Sequence, residues 1–200
     1  MVRLSDDLLD ALREVINIGV GKAAGTLNEL LGHHILLEVP QVVVLGPDEM
    51  AAHLCQRPDE TVSLVVLQFS GQFSGLSTLM FTSDSASKLV DLLVGEETPV
   101  DELDVIKTGT LTEVGNILLN AVMGSIGNLL GSRLSYTIPT YQEGALGQLL
   151  QPIIRQESAA LEVTTRFTVQ SRQITGEFLL LFEVLSFDTF VAALETALQG

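Results

Sequence analysis

A glutamate and an asparagine three residues apart occur twice in this chain, as Glu14 with Asn17 and as Glu113 with Asn116. On a helix, residues three and four apart share a face, so each pair sets a carboxylate and a carboxamide about one turn apart. A carboxamide accepts a hydrogen bond from water through its oxygen while donating one to a phosphoryl oxygen from its nitrogen. Phosphoryl transfer rests mainly on positioning and electrostatic stabilisation, and a carboxamide that orients water is one device it uses. The glutamate would grip a cation on the partner and fix its approach. Neither motif has a thiol, histidine or serine–histidine pair beside it, which argues against a covalent intermediate on this chain.

The helical stripe extends beyond the pair. In the first half it reads Glu14, Asn17, Gly21, Gly25 and Asn28; in the second, Glu113, Asn116, Asn120, Gly124 and Gly127. Leu12, Val15 and Ile16, with Leu111, Val114 and Ile117, point elsewhere, toward a core. A glycine inside a helix costs about 1 kcal/mol relative to alanine, so the stripe glycines predict that something packs closely there.

These stripes belong to a duplication. Shifted by 99 residues, 12–40 align without gaps onto 111–139, and ten of the 29 pairs are identical, Glu14/Glu113, Asn17/Asn116, Ile18/Ile117 and Pro40/Pro139 among them. Unrelated segments of average composition would share about two. Each half, 1–98 and 99–200, repeats one order of elements. A long helix (4–31 and 101–130) is stopped by Gly32 or Gly131, and an extended stretch around Pro40 or Pro139 suggests an edge or a bulge. A short helix follows near 47–55 and 143–150. Strand pairs come next, 61–69 with 73–82 and 158–169 with 174–185, turning at Ser70-Gly71 and Ser171-Arg172. A last helix closes each half, 83–95 with Ser83 or Asp84 as N-cap and 188–200 with Asp188. The expected fold is α+β: a single pseudo-twofold duplicated domain, a largely antiparallel sheet with long helices packed against it.

Composition narrows the remaining classes. Hydrophobic residues make up 46% and charged residues 18%, as in a folded chain. The net charge of −15 disfavours nucleic acid and anionic lipid as partners. A single cysteine, Cys55, rules out an internal disulfide framework and fits a reducing cytoplasm; it reads as packing rather than as a reactive thiol. Asp6 and Asp7 stand where a signal peptide needs apolar residues, and Glu113, Asn116, Asn120 and Asn128 interrupt the most apolar stretch, 111–131, so no membrane insertion is expected. GVGKAAG (19–25) lies inside a helical pattern and lacks the Gly-Lys-Ser/Thr ending of a phosphate loop. His33-His34 has no third ligand nearby and reads as a surface loop, and 96–101 as an acidic linker.

In each half Glu-x-x-Asn is followed, after 22 intervening residues, by proline, and Asp10 precedes the first motif by four positions. This pattern, with DALREVINIGVGKAAGTLNELLG around it, resembles the CheC/CheX/FliY family of chemotaxis phosphatases over essentially the whole chain. Two motif copies fit the CheC branch best; the CheX branch is expected to carry one active motif and to dimerise, the FliY branch an additional switch-protein domain. The resemblance implies hydrolysis of the phospho-aspartate of a CheY-type response regulator. Asn17 and Asn116 would orient the attacking water, and Glu14 and Glu113 would contact the regulator's lysine. Asp10, Gly21, Gly25, Asn120 and Gly124 would line the partner contact. The magnesium ion would be the regulator's, with no metal or cofactor of the chain's own. A CheD-type receptor deamidase is a candidate second partner, and the alternative is a module that binds such proteins without hydrolysis. Gly109 stands where the second motif would repeat Asp10, a departure that weakens the outer part of that motif.

Overall fold

The computed structural model describes residues 4–32, 34–46, 48–50, 52, 56–94, 103–154, 157–169, 172–183 and 186–199. His33, Cys55 and the linker at 96–101 lie outside these residues.

Helix α1 (Asp6–Leu31) opens on Ser5, whose hydroxyl accepts from the Leu8 amide at 3.3 Å, and Asp6 and Asp7 place negative charge in its first turn. It ends at Gly32, which takes a left-handed φ of 65° and donates its N–H to the Asn28 carbonyl at 3.1 Å. Residues 48–50 and 52 are helical, and the first hairpin, β2 (Thr61–Ser70) and β3 (Gly75–Thr82), leads into α2 (Ser83–Val94). The cap there is Thr82, whose hydroxyl accepts from the Ser85 amide at 3.2 Å, rather than Ser83 or Asp84.

The second half opens with α3 (Leu103–Leu129), which closes with a pair of reverse hydrogen bonds, Ser132 N–H to the Gly127 carbonyl and Gly131 N–H to that of Asn128. Gly131 at φ 59° makes that geometry possible, since a left-handed residue there costs other side chains energy. The extended stretch around Pro139 is split into β4 (Ser135–Tyr136) and β5 (Thr140–Ala145). Helix α4 (Leu146–Ile154) starts three residues later than its sequence pattern suggests, because 143–145 remain paired with β2. The hairpin β6 (Glu157–Val169) and β7 (Arg172–Glu183) precedes α5 (Ser186–Gln199), where Asp188 lies inside the first turn instead of capping it.

One seven-stranded sheet runs through the molecule in the order β1-β6-β7-β3-β2-β4, with β1 (Ile35–Leu45) at one end and β5 sharing β2's outer side with β4. Every pair is antiparallel. Pro40 sits in an edge strand at a register shift between Glu38 and Gln41, where its missing N–H disturbs no ladder. The halves interlock. β1 from the first pairs with β6 from the second, and β5 from the second pairs with β2 from the first.

Alternate residues of the central strands feed two cores. Val65, Leu67 and Phe69 of β2 and Phe178, Leu180 and Phe182 of β7 face the main core with α1, α2, α3 and α5. Val62, Leu64, Leu179 and Leu181 face a smaller core closed by Met50, Leu146 and Leu150. Strands buried on both faces carry continuous apolar runs such as FLLLF (178–182), which hide the two-residue period from a sequence reader. The molecule is an α+β fold in which the long helices lie against one face of a largely antiparallel sheet.

Candidate functional site

The first motif stands open on α1. Leu12, Val15 and Ile16 are buried at 8% exposure or less, which turns Glu14, Asn17, Gly21 and Gly25 outward, and all four are exposed. Among the described residues neither Glu14 nor Asn17 takes a hydrogen-bond or ion-pair partner. Asp10 is exposed too and accepts from Arg13 Nη1 at 2.8 Å, a solvated pair of small energetic weight. Asn28, at the far end of the stripe, has a structural task instead: its Oδ1 accepts the Ile35 amide at 2.6 Å and fixes the entry to β1.

The second motif is more enclosed. Glu113 is exposed, while Asn116, Asn120 and Gly124 are half-buried. Asn120 turns its amide nitrogen inward, donating to the Asn116 backbone carbonyl at 2.8 Å and to Asn116 Oδ1 at 2.7 Å. Gly21 occupies the same position in the first motif and has no side chain to offer. The Glu/Asn pair is therefore duplicated in residue type, while the residue four positions beyond the asparagine and the contacts it makes are not.

The stripe glycines also divide. A Cβ added at Gly21, Gly25 or Gly124 would meet nothing within 4 Å, so these positions stay open. A Cβ at Gly127 would lie 3.1 Å from the Ser132 carbonyl oxygen, so this position packs against its own chain. Close approach occurs on the opposite helix faces: a Cβ at Gly19 would lie 2.6 Å from the Val122 Cα, and one at Gly115 would lie 2.6 Å from Val65. Gly19 thus sets how near α1 comes to α3, and Gly115 how near α3 comes to β2. Their signal in the sequence was placement among the apolar residues, not on the polar stripe.

Ile18 is an exposed apolar residue beside the first motif that the reading of the stripe left out. It follows Asn17, falls four residues after Glu14 on the same stripe, and is 47% exposed. Its counterpart Ile117 is half-buried against the main core. Helical spacing alone would have found it.

A polar cluster ties the start of α3 to the sheet. Lys107 Nζ donates to Glu143 Oε1 at 2.7 Å, and the Tyr141 hydroxyl donates to Glu143 Oε2 at 2.8 Å and lies 3.0 Å from Ser63 Oγ. The hydrogen bond from Lys107 holds the Glu143 carboxyl below its usual range against the opposing effect of burial. Burial, reinforced by Glu143, pushes the Tyr141 phenol up to about 12, although the Ser63 contact works the other way. On the other side of the sheet, burial opposes the charge on Arg57, but its bond to Glu177 and the carboxylates of Glu60 and Glu162 outweigh that and raise its pKa. Both clusters are scaffold.

Among the described residues no group of three metal-ligating side chains forms, and no helix is long and apolar enough to cross a membrane. The family profile described as CheC-like matches residues 9–44, which cover most of α1 and of β1 and include Glu14, Asn17 and Pro40. The CheY-P phosphatase CheC of Bacillus subtilis is 26% identical over 98% of this chain and 97% of its own length. The chain is thus similar to the CheC-like family over α1 and β1, and to CheC along its length. The crystal structure of FliY from Thermotoga maritima superposes with a TM-score of 0.76 at 19% identity, covering 98% of this chain and 100% of that one. The CheX-CheY-BeF3-Mg2+ complex from Borrelia burgdorferi matches at a TM-score of 0.53 and 16% identity, covering 84% of this chain and 97% of that one. These two likenesses are of fold alone, an α+β architecture shared over 98% and 84% of the chain.

Proposed function

We propose that this CheC-like protein hydrolyses the phospho-aspartate of a CheY-type response regulator. The observation that carries the reading is the pair of Glu/Asn motifs on the outer faces of α1 and α3, with Glu14, Asn17 and Glu113 exposed and unengaged by the fold. A polar group that the fold leaves unpaired is available to a partner. The carboxamides of Asn17 and Asn116 orient a water in line with the acyl phosphate. The water oxygen bonds to phosphorus as the phosphorus–oxygen bond to the aspartate breaks. Aspartate leaves as a free carboxylate, and inorganic phosphate keeps the protons of the water.

Glu14 and Glu113 contact the regulator's active-site lysine, which fixes the approach, and Asp10, Gly21, Gly25 and Gly124 line the contact. The magnesium ion arrives with the regulator, and the chain needs no metal of its own. Such a protein works in the cytoplasm, with no nucleic acid or membrane insertion in its task, and a CheD-type deamidase is a second partner. The name of the Bacillus subtilis relative and the partnership in the CheX–CheY complex support this reading.

A second reading, a module that binds a receiver without hydrolysis, is favoured at one place only: Asn116 is half-buried and already accepts a hydrogen bond. Mixing the protein with a phosphorylated CheY-type receiver and following loss of the phosphoryl group separates the two. Acceleration over spontaneous decay is expected. Receiver binding with unchanged decay would establish the binding module instead.

A further inference from the structure

We propose that Asn120 is a positioning residue, holding the Asn116 carboxamide in one orientation, and that this brace makes the two sites unequal. The inference rests on the phosphatase reading and adds to it a role for a residue that does not touch the phosphoryl group.

The hydrogen-bond pattern fixes which atom faces which. A backbone carbonyl only accepts, so the Asn120 atom 2.8 Å from the Asn116 carbonyl must be its nitrogen. The same nitrogen lies 2.7 Å from the Asn116 side chain, where only the oxygen can receive it. The Asn116 amide nitrogen is thereby turned away from Asn120, and it has no partner among the described residues. Amide orientation, usually ambiguous, is settled here by an acceptor that cannot flip. One lone pair of Asn116 Oδ1 goes to Asn120 and the other remains for water, while both N–H groups stay free to meet a phosphoryl oxygen. Site two therefore presents its donor ready-oriented.

Site one lacks the device. Gly21 stands in place of Asn120, and Asn17 is exposed with no partner. Its carboxamide must be ordered at each encounter, which subtracts from turnover rather than from the contacts that hold the receiver. The same vacancy allows the brace to be installed, since a Cβ at Gly21 would meet nothing within 4 Å.

The test is made in Asn17→Ala protein, where only the second site turns over. Asn120→Leu removes the donor at similar size, and Asn120→Asp serves if that variant fails to fold. The expected result is a kcat lower by about three- to tenfold, the range one immobilised side chain commands, with KM for the phosphorylated receiver unchanged. Gly21→Asn in Asn116→Ala protein should raise the first site's kcat by a similar factor. A raised KM with unchanged kcat would overturn the proposal and make Asn120 a partner contact; unchanged values of both would overturn it as well. An independent readout is the exchange of side-chain amide protons in the unbound protein. Those of Asn120 should exchange more slowly than those of Asn17 and speed up in Asn116→Ala, and equal rates would refute the brace. If the Asn17→Ala protein and the wild type both leave receiver decay unchanged, the phosphatase reading fails, and the exchange rates still decide whether the brace exists.

Discussion

The Tyr141 hydroxyl lies between Ser63 Oγ at 3.0 Å and Glu143 Oε2 at 2.8 Å, and the same carboxylate receives Lys107 at 2.7 Å. This arrangement favours a protonated phenol beside an ionised carboxyl, and each has a pH signature. The folded pKa of Tyr141, about 12, exceeds its ordinary value of 10.0. The stability it contributes is thus fully present below about pH 10 and lost as the pH rises toward 12. Glu143 is displaced downward, so its contribution is present above the ordinary carboxylate range and lost as the pH falls through the depressed value. Urea unfolding of wild type and Tyr141→Phe should therefore show the wild type losing its advantage between pH 10 and 12, with phenolate absorbance rising late in that window. A wild-type advantage that disappears below pH 9 would contradict the assignment. At the motifs, identical residue types meet different surroundings. Asn17 and Ile18 are open to solvent, whereas Asn116 is braced and Ile117 is packed.

Among the elements, glycine separates packing from access. Gly19 faces the Val122 backbone with no room for a methyl group, the Cβ position being 2.6 Å from Cα. Gly19→Ala should destabilise by about 1–3 kcal/mol through overpacking, because backbone cannot yield as a flexible side chain does. Gly21→Ala, only two residues away, points into open space and should stabilise by about 0.5–1 kcal/mol through helix propensity. Thermal unfolding of the two variants, with Tm moving in opposite directions, checks this; equal shifts would contradict it. The helices and their stops were legible in the sequence because a 3.6-residue period and a terminal glycine are local signals. The hairpins were legible for the same reason. The pairing of β1 with β6 and of β5 with β2 was not, since it joins residues 74 or more apart and nothing local encodes it. The Thr82 cap lay hidden beside two equally suitable capping residues, and the split of β4 from β5 depends on which part of β2 each one meets. At the site, the stripe was readable from spacing alone. The bond from Asn120 to Asn116 follows from the same four-residue interval, but carboxamides on a helix do not always meet.

At the scale of the whole molecule, the sheet makes the halves interdependent. Residues 1–98 alone would leave β1 without β6 and β2 without β5, while β3 would lose β7. A fragment of 1–98 should accordingly remain unfolded or aggregate through its open strand edges, and mixing it with 99–200 should restore the circular dichroism of the intact chain. A fragment that unfolds cooperatively by itself would contradict the interlocked core. The net charge of −15 keeps such a molecule soluble, and the repulsion adds a modest cost to compactness that added salt should relieve.

Two candidate sites in one molecule also govern how the central claim must be tested, since one site can mask the loss of the other. The direct measurement is the dephosphorylation rate of a phosphorylated CheY-type receiver with Asn17→Ala, Asn116→Ala and the double variant. Removing a positioned polar group from such a site costs roughly a hundred- to a thousandfold in rate. Each single variant should retain measurable acceleration, and the double variant should return decay to its spontaneous rate. A double variant as active as the wild type would show that neither carboxamide directs the water, and the account would fail.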